Sequence, residues 1–197
     1  DESTDQKVLL EVGCGVGNLV FPLISEKCNY FIYACDFSSN AVELVKQNEL
    51  YDECKIKGFQ CDITTETIFN EIPRGSVDII TMVFVLSAVH PEKFNQVAAN
   101  LFQLLKPGGI LLFRDYRLYD MTQLRFKATN KIGENFYARQ DGTCSYFFSL
   151  KEAKELYESS GFEIVQNNFI ERRTINKKED VNVKRWFIQG KYLKPAR

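Results

Sequence analysis

The stretch Glu11-Val12-Gly13-Cys14-Gly15-Val16-Gly17-Asn18 constrains this chain more than any other feature of its 197 residues. It continues Val8-Leu9-Leu10, an apolar run of strand length, and precedes Leu19 to Glu26, which reads as a short helix. Three alternating glycines let the backbone turn tightly and let a ligand come close to the main chain. A turn of this kind lies at the carboxyl end of a strand, where open α/β sheets bind their ligands. A dinucleotide fingerprint of the G-x-G-x-x-G type would need Gly or Ala where Asn18 stands, and no phosphate-cradling lysine is present. The loop alone leaves several nucleotide-containing ligands open.

The order of apolar runs agrees with such a sheet. Phe31 to Cys35, Ile56 to Cys61, Val77 to Val83 and Ile110 to Phe113 read as further buried strands. Between them, Ala41-Val42 and Val45 give helical spacing after Ser38 or Ser39 as N-cap. Pro91 to Lys106 predicts a helix that starts on His90-Pro91 and stops at Pro107-Gly108-Gly109. Alternating strand and helix with central apolar strands predicts an α/β doubly wound parallel sheet. The rhythm breaks over 116–148, rich in aromatic and basic residues without clear periodicity. A helix from about Leu150 to Ser160 follows, then two β-rich stretches, Glu163 to Arg173 and Lys184 to Leu193, around the polar tip Asn176-Lys177-Lys178-Glu179-Asp180. Two added strands predict a seven-stranded, mostly parallel sheet with an antiparallel edge.

Composition places the chain among single globular domains, 1–197. No apolar run reaches the roughly 18 residues of a membrane helix, since Asp78, Thr81 and Ser87 interrupt the longest. There is no signal-peptide pattern and no initiating Met, so we expect the natural N-terminus to lie further upstream. None of the six cysteines forms a C-x-x-C pair and there is one histidine, so no metal site is expected. Cys14, Cys35 and Cys61 fall in or beside buried strands and suit a reducing compartment. Charge is unevenly spread: residues 1–113 carry a net −7 and residues 171–197 a net +6. That split is compatible with a polyanionic partner and equally with a solvated, lysine-rich hairpin.

The E-x-G-x-G-x-G form resembles motif I of class I methyltransferases, in which the loop faces the methionine part of S-adenosylmethionine. On that resemblance Glu11, Gly13, Cys14, Gly15, Gly17 and Asn18 line the cofactor. Asp36, closing the second strand, stands about 20 residues after the glycines, where a carboxylate accepts from both ribose hydroxyls. Phe37 beside it would pack on the adenine. The resemblance also assigns Asp62 to the adenine amino group, the Ile63 amide to the adenine ring, and Val83 to a wall of the site. In S-adenosyl-L-homocysteine the same residues would hold the product.

The substrate side is carried by Phe113-Arg114-Asp115-Tyr116, which ends the fifth strand and so points at the crevice. Arg125, Lys127, Phe136, Tyr137 and Arg139 interleave bases with aromatics, a combination that suits stacking on unpaired bases and pairing with phosphates, or equally the core of a lid. In order along the chain, Glu11-x-Gly13-Cys14-Gly15-Val16-Gly17-Asn18, Ala34-Cys35-Asp36-Phe37-Ser38, Phe84 to Pro91, Leu105-Lys106-Pro107-Gly108-Gly109, Phe113-Arg114-Asp115-Tyr116 with Tyr119-Asp120, Leu124 to Lys127, Asn135-Phe136-Tyr137 with Arg139, Asp141-Gly142-Thr143 and Tyr146-Phe147-Phe148 resemble the eukaryotic methyltransferase-like family that makes 3-methylcytidine in the tRNA anticodon loop. The Ala88-Val89-His90-Pro91 and Gly133 to Tyr137 forms are most similar to its cytosolic branch, which acts on serine tRNAs in association with seryl-tRNA synthetase.

That resemblance implies a cytoplasmic protein, with the nucleus as a second location. Position just after the fifth strand makes Asp115 the expected acceptor of the charge that develops on the methylated base, with Arg114 orienting it or a phosphate, and Tyr116, Phe136 and Tyr137 are the expected stacking surfaces. A small-molecule methyltransferase, a non-catalytic cofactor-binding subunit and a nicotinamide enzyme are the competing expectations.

Overall fold

The computed structural model describes residues 6–176 and 181–196. Ten strands and six helices follow one another as β1 (Lys7–Val12), α1 (Val20–Ser25), β2 (Tyr30–Asp36), α2 (Ser39–Lys46), β3 (Ile56–Gln60), α3 (Ile68–Glu71), β4 (Val77–Val83), α4 (Phe94–Leu104), β5 (Leu105–Tyr116), α5 (Met121–Arg125), β6 (Lys131–Gly133), β7 (Phe136–Ala138), β8 (Cys144–Tyr146), α6 (Leu150–Ser159), β9 (Glu163–Asn176) and β10 (Val181–Leu193). Seven of the strands form one sheet in the order β3-β2-β1-β4-β5-β10-β9. The first five run parallel. β10 is antiparallel to both β5 and β9.

The sheet matches the expected architecture with one refinement. The reversed strand lies inside the sheet, and β9, parallel to the rest, forms the edge. β10 pairs along β5 from Phe187 opposite Tyr116 to Leu193 opposite Ile110. This pairing also explains why β5 starts at Leu105 rather than Ile110. Gly108 donates to the Lys194 carbonyl at 2.8 Å and Lys194 donates back to Gly109 at 2.9 Å, which draws the Pro-Gly-Gly stretch into the ladder. The expected polar tip at 176–180 lies outside the residues whose side chains are described.

Apolar alternation places the core. Leu10, Val12, Ile80, Met82, Leu111 and Phe113 are buried on the central strands, and Val97, Leu101 and Leu104 of α4 pack against them. Under the C-terminal half the core is aromatic: Tyr157 of α6 stacks on Tyr192 of β10 at 4.1 Å, with Phe113 and Phe162 edge-on to Tyr157. Ser149 caps α6 in a capping box, its hydroxyl accepting from the Glu152 amide at 3.1 Å while Glu152 accepts from the Ser149 amide at 2.9 Å. Among the described residues no helix is long and apolar enough to cross a membrane.

The irregular segment 116–148 does contain regular structure: a small antiparallel sheet, β6-β7-β8, stands at the carboxyl ends of the main strands. Asp120 anchors its approach. That carboxylate is fully buried, caps α5 through the Thr122 amide at 3.0 Å, accepts from the Trp186 amide at 2.8 Å, and meets the Arg185 guanidinium through Nε and Nη2, each at 2.9 Å.

Candidate active site

A cavity of about 650 Å3 opens where β1, β2, β3 and β4 end. Gly13, Asp36, Phe37, Asp62 and Ile63 line one side, and Phe84, Val85 and Val89 another. The turn Gly142-Thr143-Cys144, between β7 and β8, closes over it. A larger, shallower groove of about 950 Å3 runs between α6 and β9. Lys154 and Glu158 on its helical wall pair with each other at 3.7 Å, so its charges do not converge on a ligand.

The glycine loop is shaped by both sterics and hydrogen bonds. Gly13 has φ +68°, and a Cβ there would run into the Val85 side chain. Gly17 has φ +86°, with its open side filled by the Phe21 ring. Asp36 fixes the loop from the neighbouring strand: its carboxylate accepts from the Gly15 amide and from the Ser38 amide, both at 2.9 Å. Two amide bonds leave acceptor capacity for hydroxyls, since a carboxylate has about four lone-pair sites. Asp62 likewise spends one oxygen on the Thr64 amide at 2.9 Å and keeps the other for a ligand. Phe37 is 74% exposed beside it, a free face at the cavity wall.

Of the glycine-loop residues Gly13 alone lines the cavity, and Glu11, two residues before it on β1, supplies a test of what binds beside the loop. Its carboxylate accepts from the Val20 amide, yet Oε2 is buried without a hydrogen-bond partner. Burial, with the Asp36 charge adding to it, raises this carboxyl from 4.5 to about 7. An unpaired buried acceptor calls for a donor, and a cationic ammonium group beneath the glycine loop meets that need. S-Adenosylmethionine carries such a group, along with ribose hydroxyls for Asp36 and an adenine for Phe37, Asp62 and Ile63. The residues present fit it. Cys14 is a buried thiol pushed up to about 12 by burial, which makes it a filler rather than a nucleophile. Asn18 is exposed at the start of α1.

Four expected roles are corrected. Val83 is 43% exposed and does not line the cavity. The next residue, Phe84, takes φ +59°, which re-aims the chain so that Phe84 and Val85 form the wall. Arg114 does not orient Asp115, because adjacent strand residues point to opposite faces. Arg114 instead donates through Nε and Nη2 to Gln189 Oε1 on β10. Asp115 is wholly buried and accepts from the Ser87 amide at 2.9 Å and the Tyr116 amide at 2.8 Å. It therefore holds the 3-10 turn Leu86–Ala88 and the end of β5 rather than facing the base directly. Burial raises its carboxyl from 3.8 to about 7. Phe136, expected as a stacking surface, is in the core, edge-on to His90 at 5.5 Å.

The other substrate-side residues gather at the small sheet. Tyr137 is half-buried and already stacks on Phe126 at 4.9 Å. Tyr116 stacks on Phe84 at 5.0 Å, and the Arg139 guanidinium lies 5.8 Å from the Tyr116 ring. Arg125 and Lys127 are exposed beside them. Sequence reasoning missed Val85 and the Gly142-Thr143-Cys144 turn at the cavity. The Asp141-Gly142-Thr143 turn signal was visible, but nothing local shows that it folds back over the glycine loop.

Residues 10–111 match a methyltransferase domain model. A S-adenosylmethionine-dependent methyltransferase from Methanosarcina mazei superposes with a TM-score of 0.75 at 19% identity, over 98% of this chain and 95% of that one. Fold and cavity together thus define a Rossmann-like S-adenosylmethionine-dependent methyltransferase. The human tRNA N(3)-cytidine methyltransferase METTL6 is 53% identical over 197 residues, which is 100% of this chain and 69% of that protein. The Xenopus tropicalis tRNA N(3)-cytidine methyltransferase METTL2 is 47% identical over 189 residues, 95% of this chain and 56% of that protein. The chain belongs to the tRNA N(3)-cytidine methyltransferase family.

Proposed function

We propose that this protein transfers a methyl group from S-adenosylmethionine to N3 of an unpaired cytidine in the anticodon loop of a tRNA, with serine tRNAs as its substrates. The observation that carries the reading is 53% identity across the whole chain to human METTL6, laid over a cavity whose donors and acceptors fit the cofactor. The cofactor supplies an electrophilic methyl on a sulfonium. N3 of neutral cytosine has an in-plane lone pair and needs no prior deprotonation, so the protein's tasks are alignment, exclusion of water and tolerance of positive charge on the product.

The residues divide those tasks. Asp36 and Asp62 at the cavity, with Glu11 beside the glycine loop, would hold the cofactor, and the Gly142-Thr143-Cys144 turn would flank it. Asp115 fixes the Leu86–Ala88 turn and Tyr116, and its carboxylate lends negative potential to that end of β5. N3 lies on the Watson–Crick edge, so the base must be unpaired or flipped out. Arg125, Lys127 and Arg139 stand where a loop's phosphates would pass. Burial first, and the like charge of exposed Arg172 on β9 second, lower the basicity of Arg114, a strain that an anion would relieve. We place the enzyme in the cytoplasm and the nucleus, with seryl-tRNA synthetase as a partner.

The test is methyl transfer from labelled cofactor to total tRNA, followed by nucleoside analysis, with and without added seryl-tRNA synthetase. 3-Methylcytidine confined to serine tRNAs is the expected product. Measurable cofactor binding without 3-methylcytidine in either reaction would overturn the assignment. A labelled low-molecular-weight product would establish a small-molecule substrate in its place.

A further inference from the structure

Phe84 carries the most unusual geometry near the cavity. It is a non-glycine residue at φ +59°, in the left-handed region that costs a bulky side chain free energy and persists where the surroundings enforce it. Its amide donates to the Arg114 carbonyl at 2.8 Å, which fixes the turn out of β4. The turn carries the ring away from the core, and 39% of the residue remains exposed. The exposure is notable because the ring already stacks on Tyr116 at 5.0 Å with 28° between planes and meets Phe187 edge-on at 5.1 Å. The same residue lines the cofactor cavity. Cations frame the stack: the guanidinium groups of Arg139 and Arg185 each lie 5.8 Å from the Tyr116 ring.

We infer that the Phe84–Tyr116 stack is the platform that receives the target base, with Phe84 as the face that meets it. The assignment rests on the proposed RNA substrate and names the surface that reads it. An exposed aromatic face at the border of the methyl-donor cavity places a stacked pyrimidine beside the donor. Base–aromatic stacking needs only a π face. Arg139 deepens the preference for a nucleotide over a neutral heterocycle, since it can also meet phosphate. Arg185 is held by Asp120, so the platform is tied to the buried anchor of the small sheet.

Four substitutions separate ring, bulk and backbone. Phe84→Leu keeps apolar volume at the cavity wall and removes the π face. Phe84→Trp restores a π face. Phe84→Ala removes the side chain and keeps the strained φ, whereas Phe84→Gly removes both ring and strain. The readouts are KM and kcat for tRNA methylation, S-adenosylhomocysteine affinity by calorimetry, thermal unfolding, and quenching of the fluorescent analogue pyrrolocytidine placed at the target position of an anticodon stem-loop RNA.

Loss of one base stack should weaken RNA binding or raise KM about 5- to 150-fold in the Leu and Ala variants, with cofactor affinity little changed and pyrrolocytidine quenching lost. The Trp variant should recover most of both. The Gly variant should unfold at a higher temperature than the Ala variant and still fail to methylate, an outcome that a purely structural Phe84 would not give. Wild-type kinetics and quenching in Phe84→Leu would overturn the platform. So would a fall in cofactor affinity that matches the fall in methylation. If wild-type protein makes no 3-methylcytidine and does not quench pyrrolocytidine, the RNA assignment fails, and the platform with it.

Discussion

Replacing Glu11 by Gln should make the protein more stable and a weaker binder of its cofactor, two effects of opposite sign from one buried oxygen. Without ligand, a carboxyl raised from 4.5 to about 7 penalises its ionised form by about 3 kcal/mol, at 1.36 kcal/mol for each decade. The direction in pH follows from linkage. Below 4.5 the group is protonated in both folded and unfolded chains, and the penalty is absent. Between 4.5 and about 7 the unfolded chain releases the proton and the folded one keeps it, so stability falls as pH rises. Above that window the full penalty stays. Glu11→Gln removes it, and at pH near 8 the ligand-free variant should melt several degrees higher, at roughly 2–4 °C per kcal/mol for a domain of this size.

The cofactor ammonium reverses the balance, because it binds the ionised carboxylate. Wild-type affinity for S-adenosylhomocysteine should therefore fall roughly tenfold for each pH unit below about 7 and level off above it. The Gln variant should lack this slope and bind about 10- to 150-fold more weakly at high pH, the loss of one charge-assisted hydrogen bond of about 1.5–3 kcal/mol. Calorimetry in buffers of different ionisation enthalpy checks the mechanism directly: near neutrality wild-type binding should release a proton and Gln-variant binding should not. Affinity independent of pH from 5.5 to 8.5 on the order of a factor of two, or a Gln variant no more stable than wild type, would refute the role of Glu11.

Asp120→Ala strips the partner from Arg185 and should cost about 3–5 kcal/mol, read as a large fall in melting temperature. Since the Arg185 guanidinium and the Trp186 and Thr122 amides hold the Asp120 carboxyl below its usual range, its stabilisation is present above 3.8 and is lost as pH falls below that value. Gly13→Ala, at φ +68° and against Val85, should abolish measurable cofactor binding, whereas Gly75→Ala, at φ +65° with open space around it, should cost stability only; calorimetry beside thermal melts separates the two. Asp115→Asn keeps one acceptor for the Ser87 and Tyr116 amides and should lower kcat more than it lowers cofactor affinity. Unchanged methyl transfer in that variant would remove Asp115 from the mechanism. Ser149→Ala should lose about 1 kcal/mol through the α6 cap, measured by chemical denaturation.

The sheet was legible because its strands are nearly continuous apolar runs separated by helix signals, and glycine spacing marked the ligand end of β1. Asp36 was read from its place at a strand end and Asp62 from the resemblance to class I methyltransferases, and both line the cavity. The substrate side was less legible for identifiable reasons. Arg114 and Asp115 are neighbours in sequence, but the strand's two-residue period sends them to opposite faces. Phe136 and Tyr137 differ in burial for the same reason, and composition cannot say which faces in. The position of β10 between β5 and β9, and with it the pairing of Arg114 to Gln189, depends on contacts 75 residues apart in sequence. The left-handed turn at Phe84 is written in no local motif, since glycine or asparagine is the usual marker of such a φ.

The inserted position of β10 also sets the order in which the molecule can be finished. During synthesis β5 is complete long before β10 exists, and β9 has nothing to pair with until Val181 to Leu193 are made. Until then β5 exposes an unpaired ladder from Ile110 to Tyr116 with Leu111 and Phe113 on it, the kind of edge that recruits other chains. Pairing across such sequence distance is slow to form. A chain that stops before Val181 would lose no part of the glycine loop, Asp36 or Asp62. It would still lose the strand that closes the sheet, and its fate would be set by that open edge rather than by its intact cofactor cavity.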